Sequence, residues 1–170
     1  ITYLEATQFK QKFNVHFSTS IQYIGNQGST IKYENKKTNP NIIVFGGDEN
    51  YLKNENYTVF MGRNFTEAEL KYGTNVVLLG YTVAKKLLGS KYTLENKIVR
   101  IDDVKFKVIG VLDEKGSSFI TTDNFVLIPL TKARQLYPQD NPSYVISVLG
   151  NNPENMAPVQ ADATLVMRNV

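Results

Sequence analysis

The spacing of apolar residues changes along the chain, and each change marks an element. Leu4, Ala6, Phe9 and Phe13 recur at roughly helical intervals and predict an amphipathic helix at the start. Residues 15–24 (VHFSTSIQYI) alternate apolar and polar as a strand does. A polar turn at Gly25 to Gly28, a return strand at 31–33, a loop rich in Lys, Asn and Pro, and an apolar strand at 42–45 follow.

Beyond residue 58 the signals sharpen. Thr66 and Glu69 have the T-x-x-E spacing of a capping box, in which hydroxyl and carboxylate satisfy the free N–H groups of a helix start. Glu67 and Glu69 are therefore read as structural, since a helix's first turn also favours negative charge. Residues 76–79 (VVLL) form the continuous apolar run of a strand buried on both faces. The segment 81–88 places Val83, Ala84, Leu87 and Leu88 on one helix face, with Gly89 set to supply a left-handed C-cap.

The stretch 97–112 predicts a hairpin. Asp102-Asp103 would form a two-residue turn that pairs Ile101 with Val104 and Val99 with Phe106. All four, with Val108, then face one core, while Arg100, Lys105 and Lys107 face water. A polar loop over 110–123 leads to a strand at 125–130, a helix at 131–137 and a strand at 144–149. After a break at Asn151-Asn152-Pro153, a helix carries Val159, Ala163 and Val166 on one face.

At 170 residues and 42% apolar content, the chain is large enough for one compact domain or two small lobes sharing a core. Its 19 basic and 16 acidic side chains leave a net charge of +3 without a basic stripe, which argues against nucleic acid as a partner. Lys36-Lys37 and Lys85-Lys86 read as solvated faces. The absence of cysteine removes disulfides, thiolate nucleophiles and thiolate metal sites together. The longest apolar run, 125–130, is far too short to cross a bilayer, and Ile1 opens no signal-peptide pattern. An excised or processed piece of a longer protein is expected.

Little catalytic chemistry can be assembled from these parts. Gly80 at a strand-to-helix junction invites comparison with phosphate-binding turns, but it stands alone and Tyr81 follows it, so packing is the better reading. The adjacent aspartates lack a third oxygen ligand at calcium-loop spacing. His16, the one histidine, falls in the first strand with no zinc-ligand pattern near it. Ser18, Ser20, Ser117 and Ser118 lack a nucleophile elbow, and the carboxylates sit at caps and turns. The glycosylation sequons at Asn56 and Asn64 have no supporting context. Phe119 and Ile120, apolar residues on a polar loop, are the candidate partner contact, or else they fold back on the core. No catalytic, cofactor-binding or metal-binding residue is predicted.

Five segments taken in order carry a resemblance to a known family. They are 58–65 (TVFMGRNF), 75–80 (NVVLLG), 84–89 (AKKLLG), 106–111 (FKVIGV) and 125–130 (FVLIPL). A "GR.F" turn, an apolar strand entering a helix that ends in "LLG", a "VIGV" strand and an "IPL" strand resemble the MacB-like periplasmic core domain of bacterial ABC transporter permeases of the MacB and FtsX-like type. Residues 47–137 match well, and the flanks match by layout.

The resemblance implies an extracytoplasmic insert between the first and second transmembrane helices of an inner-membrane permease. It implies an α+β fold of two lobes: a discontinuous porter-like lobe from 1–57 with 138–170, and an inserted β-rich lobe from 58–137. It further implies a non-catalytic, mechanical role in efflux or lipoprotein release. ATP hydrolysed by a cytoplasmic ATP-binding domain or subunit would be relayed through the permease's own transmembrane helices. A homo- or heterodimer of permeases and, in efflux members, a periplasmic adaptor protein are the implied partners. Ile1 and Val170 should then lie at one end of the domain. Two other classes stay open. A soluble extracytoplasmic ligand- or protein-binding module would use the ten tyrosines and nine phenylalanines to line a concave aromatic cleft. A small hydrolase would need convergent polar groups with strongly perturbed ionisation.

Overall fold

The computed structural model describes residues 1–13, 17–115, 123–150 and 156–168, with side chains from residue 158 in the last stretch. In chain order, α1 (Tyr3–Phe13) leads to β1 (Ser18–Ser29), β2 (Ile31–Tyr33), β3 (Lys36–Lys37), β4 (Ile42–Gly47) and α2 (Tyr51–Asn54). Next come β5 (Val59–Gly62), α3 (Glu67–Tyr72), β6 (Val76–Leu79), α4 (Tyr81–Leu88), β7 (Ile98–Ile101) and β8 (Val104–Leu112). The remaining elements are β9 (Phe125–Pro129), α5 (Leu130–Leu136), β10 (Tyr144–Leu149) and α6 (Met156–Arg168).

The ten strands share one mixed sheet in the order β10-β1-β4-β9-β6-β8-β7-β2-β3, with β5 also paired to β8. Most neighbours are antiparallel, but β4 and β9 run parallel, as do β6 and β8. The fold is thus the expected mixture of helices and strands in two lobes. In the middle of the sheet, β9 pairs with β4 on one side and β6 on the other.

At the centre, β6 and β9 are buried along their whole length, as their unbroken apolar sequences require. Alternation sends Val77, Leu79, Val126 and Ile128 into one core with Val83, Ala84 and Leu87 of α4 and Ala133 of α5. Val76, Leu78, Phe125 and Leu127 enter a second core on the other face, with Leu52 of α2 and Phe65. Fully burying each such side chain contributes about 1.5–3 kcal/mol, so these two strands anchor the sheet.

The β7–β8 hairpin has the expected register, Ile101 opposite Val104 and Val99 opposite Phe106. Asp102 and Asp103 both take positive φ, 46° and 71°, the geometry a two-residue turn needs to match strand twist. The T-x-x-E spacing also forms its box: the Thr66 hydroxyl accepts from the Glu69 N–H, and the Glu69 carboxylate accepts from the Thr66 N–H. Arg63 then forks onto the same carboxylate at 2.7 and 2.8 Å. Its hydrogen bonds hold Glu69 down to about 2, against an ordinary glutamate value of 4.5. Phe65 is buried in the second core. The "GR.F" segment therefore clasps β5, α3 and β8 together.

Several expectations are corrected. Leu4 is exposed, and the buried face of α1 is Ala6, Phe9 and Phe13. No turn interrupts residues 25–28: β1 continues to Ser29 through two register shifts against β4. The Asn26 side chain makes this feasible, because its oxygen accepts from the N–H groups of Gln27 and Gly28 while its amide donates to Ser29. The loop after β2 contains the paired strand β3. Gly89 has positive φ (82°) with ψ −152°, outside the left-handed helical region; the left-handed cap lies at Gly73 (63°, 51°), closing α3. The strand predicted over 125–130 stops at Pro129, and Leu130 begins α5. The break at 151–153 lies outside the described residues.

Candidate functional site

Both ends of the chain pack against the same edge of the sheet. In β1 and β10, Ser18 pairs with Leu149, so the strand after α1 begins beside the point where the strand before α6 ends. Phe9 and Phe13 of α1 stack at 5.1 Å and share an apolar cluster with Val159, Ala163, Val166 and Met167 of α6 over Ile146 and Val148. The helical face predicted for α6 is the one in contact. Ile1, Met167 and Arg168 border one groove of about 430 Å³. The expected juxtaposition of the ends thus holds for Ile1 and Arg168; Val170 lies outside the described residues.

An ionic anchor fixes α1 to the sheet. Lys10 Nζ donates to Asp48 Oδ2 at 2.7 Å and to Glu49 Oε1 at 2.5 Å, and its side chain is largely enclosed. Asp48, 6% exposed, also accepts from the backbone N–H groups of Ile21 (2.7 Å) and Asn50 (3.1 Å). Burial raises the Asp48 carboxyl above the ordinary aspartate value, and the Lys10 ammonium only partly offsets this. Beside the anchor, the Asn54 amide donates to the carbonyls of Ser18 and Ser147, joining α2 to both β1 and β10. The Ser147 hydroxyl donates to Glu55.

A second polar hub sits at the far end of β1. Asp102 accepts from the Ser29 hydroxyl (2.5 Å), the Tyr137 hydroxyl (2.9 Å) and the Thr30 N–H (3.1 Å). Burial pushes its carboxyl up, but the hydrogen bonds from Ser29, Tyr137, Thr30 and Asn26 outweigh that and hold it below the usual aspartate range. The Tyr23 hydroxyl donates to the Tyr137 carbonyl. Burial, and then hydrogen bonding to Asp102, pushes the Tyr137 hydroxyl well up. The hub ties the β7–β8 turn to β1 and to the end of α5. Ile21 and Ser29 are eight residues apart on an extended strand, roughly 25 Å. One strand therefore links the α1–α6 pair to the β7–β8 hairpin.

Phe119 and Ile120, the predicted partner contact, lie outside the described residues, as does His16. Among the described residues before that segment, the Lys115 ammonium lies 4.1 Å from the centre of the Tyr57 ring and donates to the Glu55 carbonyl at 2.6 Å. Its backbone N–H donates to Asp123 at 3.3 Å. At Gly80 the close neighbours of a hypothetical Cβ are the carbonyl oxygens of Asp123 (2.5 Å) and Phe125 (2.8 Å). Such oxygens repel phosphate, so this glycine serves close packing of β9 on α4. Among the described residues, no three His, Cys, Asp or Glu side chains gather where they could hold a metal ion. Neither Lys10–Asp48 nor Asp102–Tyr137 was singled out from sequence. Their partners stand 38 and 35 positions apart, and no local pattern marks them.

Helices α1 and α6 thus pair over Ile146 and Val148 at one edge of a mixed sheet. Residues 1–166 match the model of the MacB-like periplasmic core domain, and the chain belongs to that family. It is 40% identical over 106 residues to the pyoverdine export ATP-binding/permease protein PvdT of Pseudomonas aeruginosa, covering 61% of this chain and 16% of that protein. It is 37% identical over 119 residues to the macrolide export ATP-binding/permease protein MacB of Bdellovibrio bacteriovorus, covering 69% and 18%. The chain thus spans less than a fifth of these curated relatives.

Two solved structures share the fold. The extracellular domain of the ABC-type transporter YknZ from Gram-positive bacteria superposes with a TM-score of 0.75 at 21% identity, covering 99% of this chain and 83% of that one. The periplasmic region of MacB from Actinobacillus actinomycetemcomitans gives 0.76 at 17% identity, covering 99% and 73%.

Proposed function

We propose that this chain is the extracytoplasmic domain of an ABC exporter permease. It carries no catalysis of its own and relays ATP-driven motion from the membrane to cargo outside the inner membrane. The observation that carries this reading is the pairing of the chain ends. With Ser18 opposite Leu149 and Ile1 beside Met167 and Arg168, two flanking membrane segments would enter one patch of bilayer and push the sheet as a unit. No helix among the described residues is long and apolar enough to cross a membrane. The export permeases among the relatives support the reading, because each joins an ATP-binding part to a permease in one protein.

In this proposal the lobes divide as 1–57 with 138–170 and 58–137, with β2–β3 reaching across to pair with β7. β1 and the Asp102 hub transmit force between them. The partners are the permease's own membrane helices, its ATP-binding unit and a second permease copy, with a periplasmic adaptor where the system performs efflux. Phe119 and Ile120 stay the proposed partner contact.

The location is tested in the full-length protein, made otherwise free of cysteine and carrying Tyr72→Cys, a position 70% exposed. A membrane-impermeant maleimide should label it in cells whose outer envelope is open and whose inner membrane is intact. Labelling only after inner-membrane lysis would place the domain in the cytoplasm and overturn the proposal.

A further inference from the structure

Away from the chain ends, β5, α4 and the turn after α4 enclose a groove of about 410 Å³. It is lined by Phe60 and Met61 of β5, Tyr81 and Lys85 of α4, and Lys91 and Tyr92. Gly89 and Ser90 complete it, and a Cβ on Gly89 would meet no atom within 4 Å, so the groove is open at that point.

Two properties of this groove set it apart from ordinary surface. Phe60 is 60% exposed although it belongs to a strand of the sheet, which leaves an aromatic ring facing solvent beside two tyrosines. The charged residues in the lining are both lysines, and no carboxylate is among them. Lys85 Nζ lies 5.7 Å from the centre of the Tyr81 ring, so one cation is poised over an aromatic wall without an acidic partner in the lining. The volume falls within the range of small-molecule sites, where apolar walls supply contact and a few polar groups fix orientation.

We propose that this groove binds a small amphipathic anion: an aromatic or otherwise apolar body against Phe60, Tyr81 and Tyr92, with a carboxylate, sulfonate or phosphate between Lys85 and Lys91. The body supplies the hydrophobic gain that surface lysines alone would not, and the anion supplies the charge complement. The hydroxyls of Tyr81, Tyr92 and Ser90 are available as further donors to the anion. The assignment rests on the groove itself and holds whether or not the domain belongs to an exporter. A soluble ligand, not a lipid surface, is the occupant, because a concave groove of about 410 Å³ matches a small molecule and not a flat bilayer face.

The probe is 8-anilinonaphthalene-1-sulfonate, titrated by fluorescence into the intact 170-residue chain, with uncharged N-phenyl-1-naphthylamine as the comparison. Saturable binding of one sulfonate per chain is expected, with the uncharged analogue at least about tenfold weaker. Lys85→Glu and Lys91→Glu should each weaken the sulfonate roughly tenfold or more, the effect of losing one charge-assisted contact. Lys85→Gln and Lys91→Gln should weaken it less, in the same direction. All four changes are at exposed positions, and matching thermal melts verify the fold.

Equal affinity for the charged and uncharged probes would overturn the proposal, as would insensitivity to all four variants or binding at high probe concentration only. Loss of binding in Met167→Asp, with the lysine variants unaffected, would place the probe in the chain-end groove and refute the assignment. Lysine-dependent capture by phosphatidylglycerol vesicles without binding of the soluble sulfonate would make the surface a lipid contact, against the proposal.

Discussion

Gly62→Ala should destabilise the domain by more than about 3 kcal/mol, whereas Gly89→Ala should cost less, about 1–3 kcal/mol. Both glycines hold positive φ, 88° and 82°, and Gly89, with ψ −152°, sits in a region essentially reserved for glycine, so alanine is strained at both sites. Their surroundings differ. A Cβ on Gly62 would overlap the Ile109 carbonyl oxygen and lie 2.7 Å from the Gly110 Cα, backbone atoms of β8 to which β5 is paired. Relief of that overlap requires β5 to separate from β8, which also breaks the hydrogen bond from the Arg63 N–H to the Ile109 carbonyl. At Gly89 nothing stands within 4 Å, so only the conformational penalty is left. Urea unfolding of the two variants measures the difference; equal losses would show that the Gly62 contact is relieved without moving the sheet.

Lys10→Met should cost about 3 kcal/mol at neutral pH, in the range found when one partner of a buried ion pair is removed. The methionine keeps the apolar stem, so the loss reports the charge left on Asp48. The pH dependence follows from the direction of the Asp48 shift. A carboxyl whose folded pKa is raised contributes stability fully below its unfolded value, 3.8 for aspartate, and loses that contribution as pH rises through the folded value. Removal of the ammonium raises the folded value further and enlarges the loss. The deficit of Lys10→Met relative to the parent should therefore be greatest near neutrality and shrink as pH falls toward 4. A deficit independent of pH would mean that Asp48 is satisfied by the Ile21 and Asn50 N–H groups alone.

Sequence and structure agree where the determinants are local. The β7–β8 hairpin is legible because alternation and turn chemistry coincide within 15 residues. The box at Thr66 is legible because it needs only a spacing of three. The run at 76–79 declares its own burial. Where side chains act at a distance, local pattern fails. Asn26 lets a strand run through a segment with the composition of a turn, and the four residues of α2 are too few to show a period. Leu4 fits helical spacing as well as the buried residues do, and only the position of α6 and β10 decides which side of α1 is inward. The two polar hubs, Lys10 with Asp48 and Asp102 with Tyr137, depend on chain topology. The family motif was readable in Gly62, Arg63 and Phe65, but its reason was not, since the atoms that require a glycine belong to residues 109 and 110.

The central claim is that the domain moves as a unit in response to nucleotide on the other side of the membrane. In the full-length permease, spin labels at Ile98 and Leu165, both exposed, report separation within one domain, and a label at Ile98 alone reports separation between two copies. Pulsed dipolar spectroscopy with and without ATP should show a constant distance within the domain and a shifted distribution between domains. No change between domains on ATP binding, or a change confined within one domain, would contradict the account.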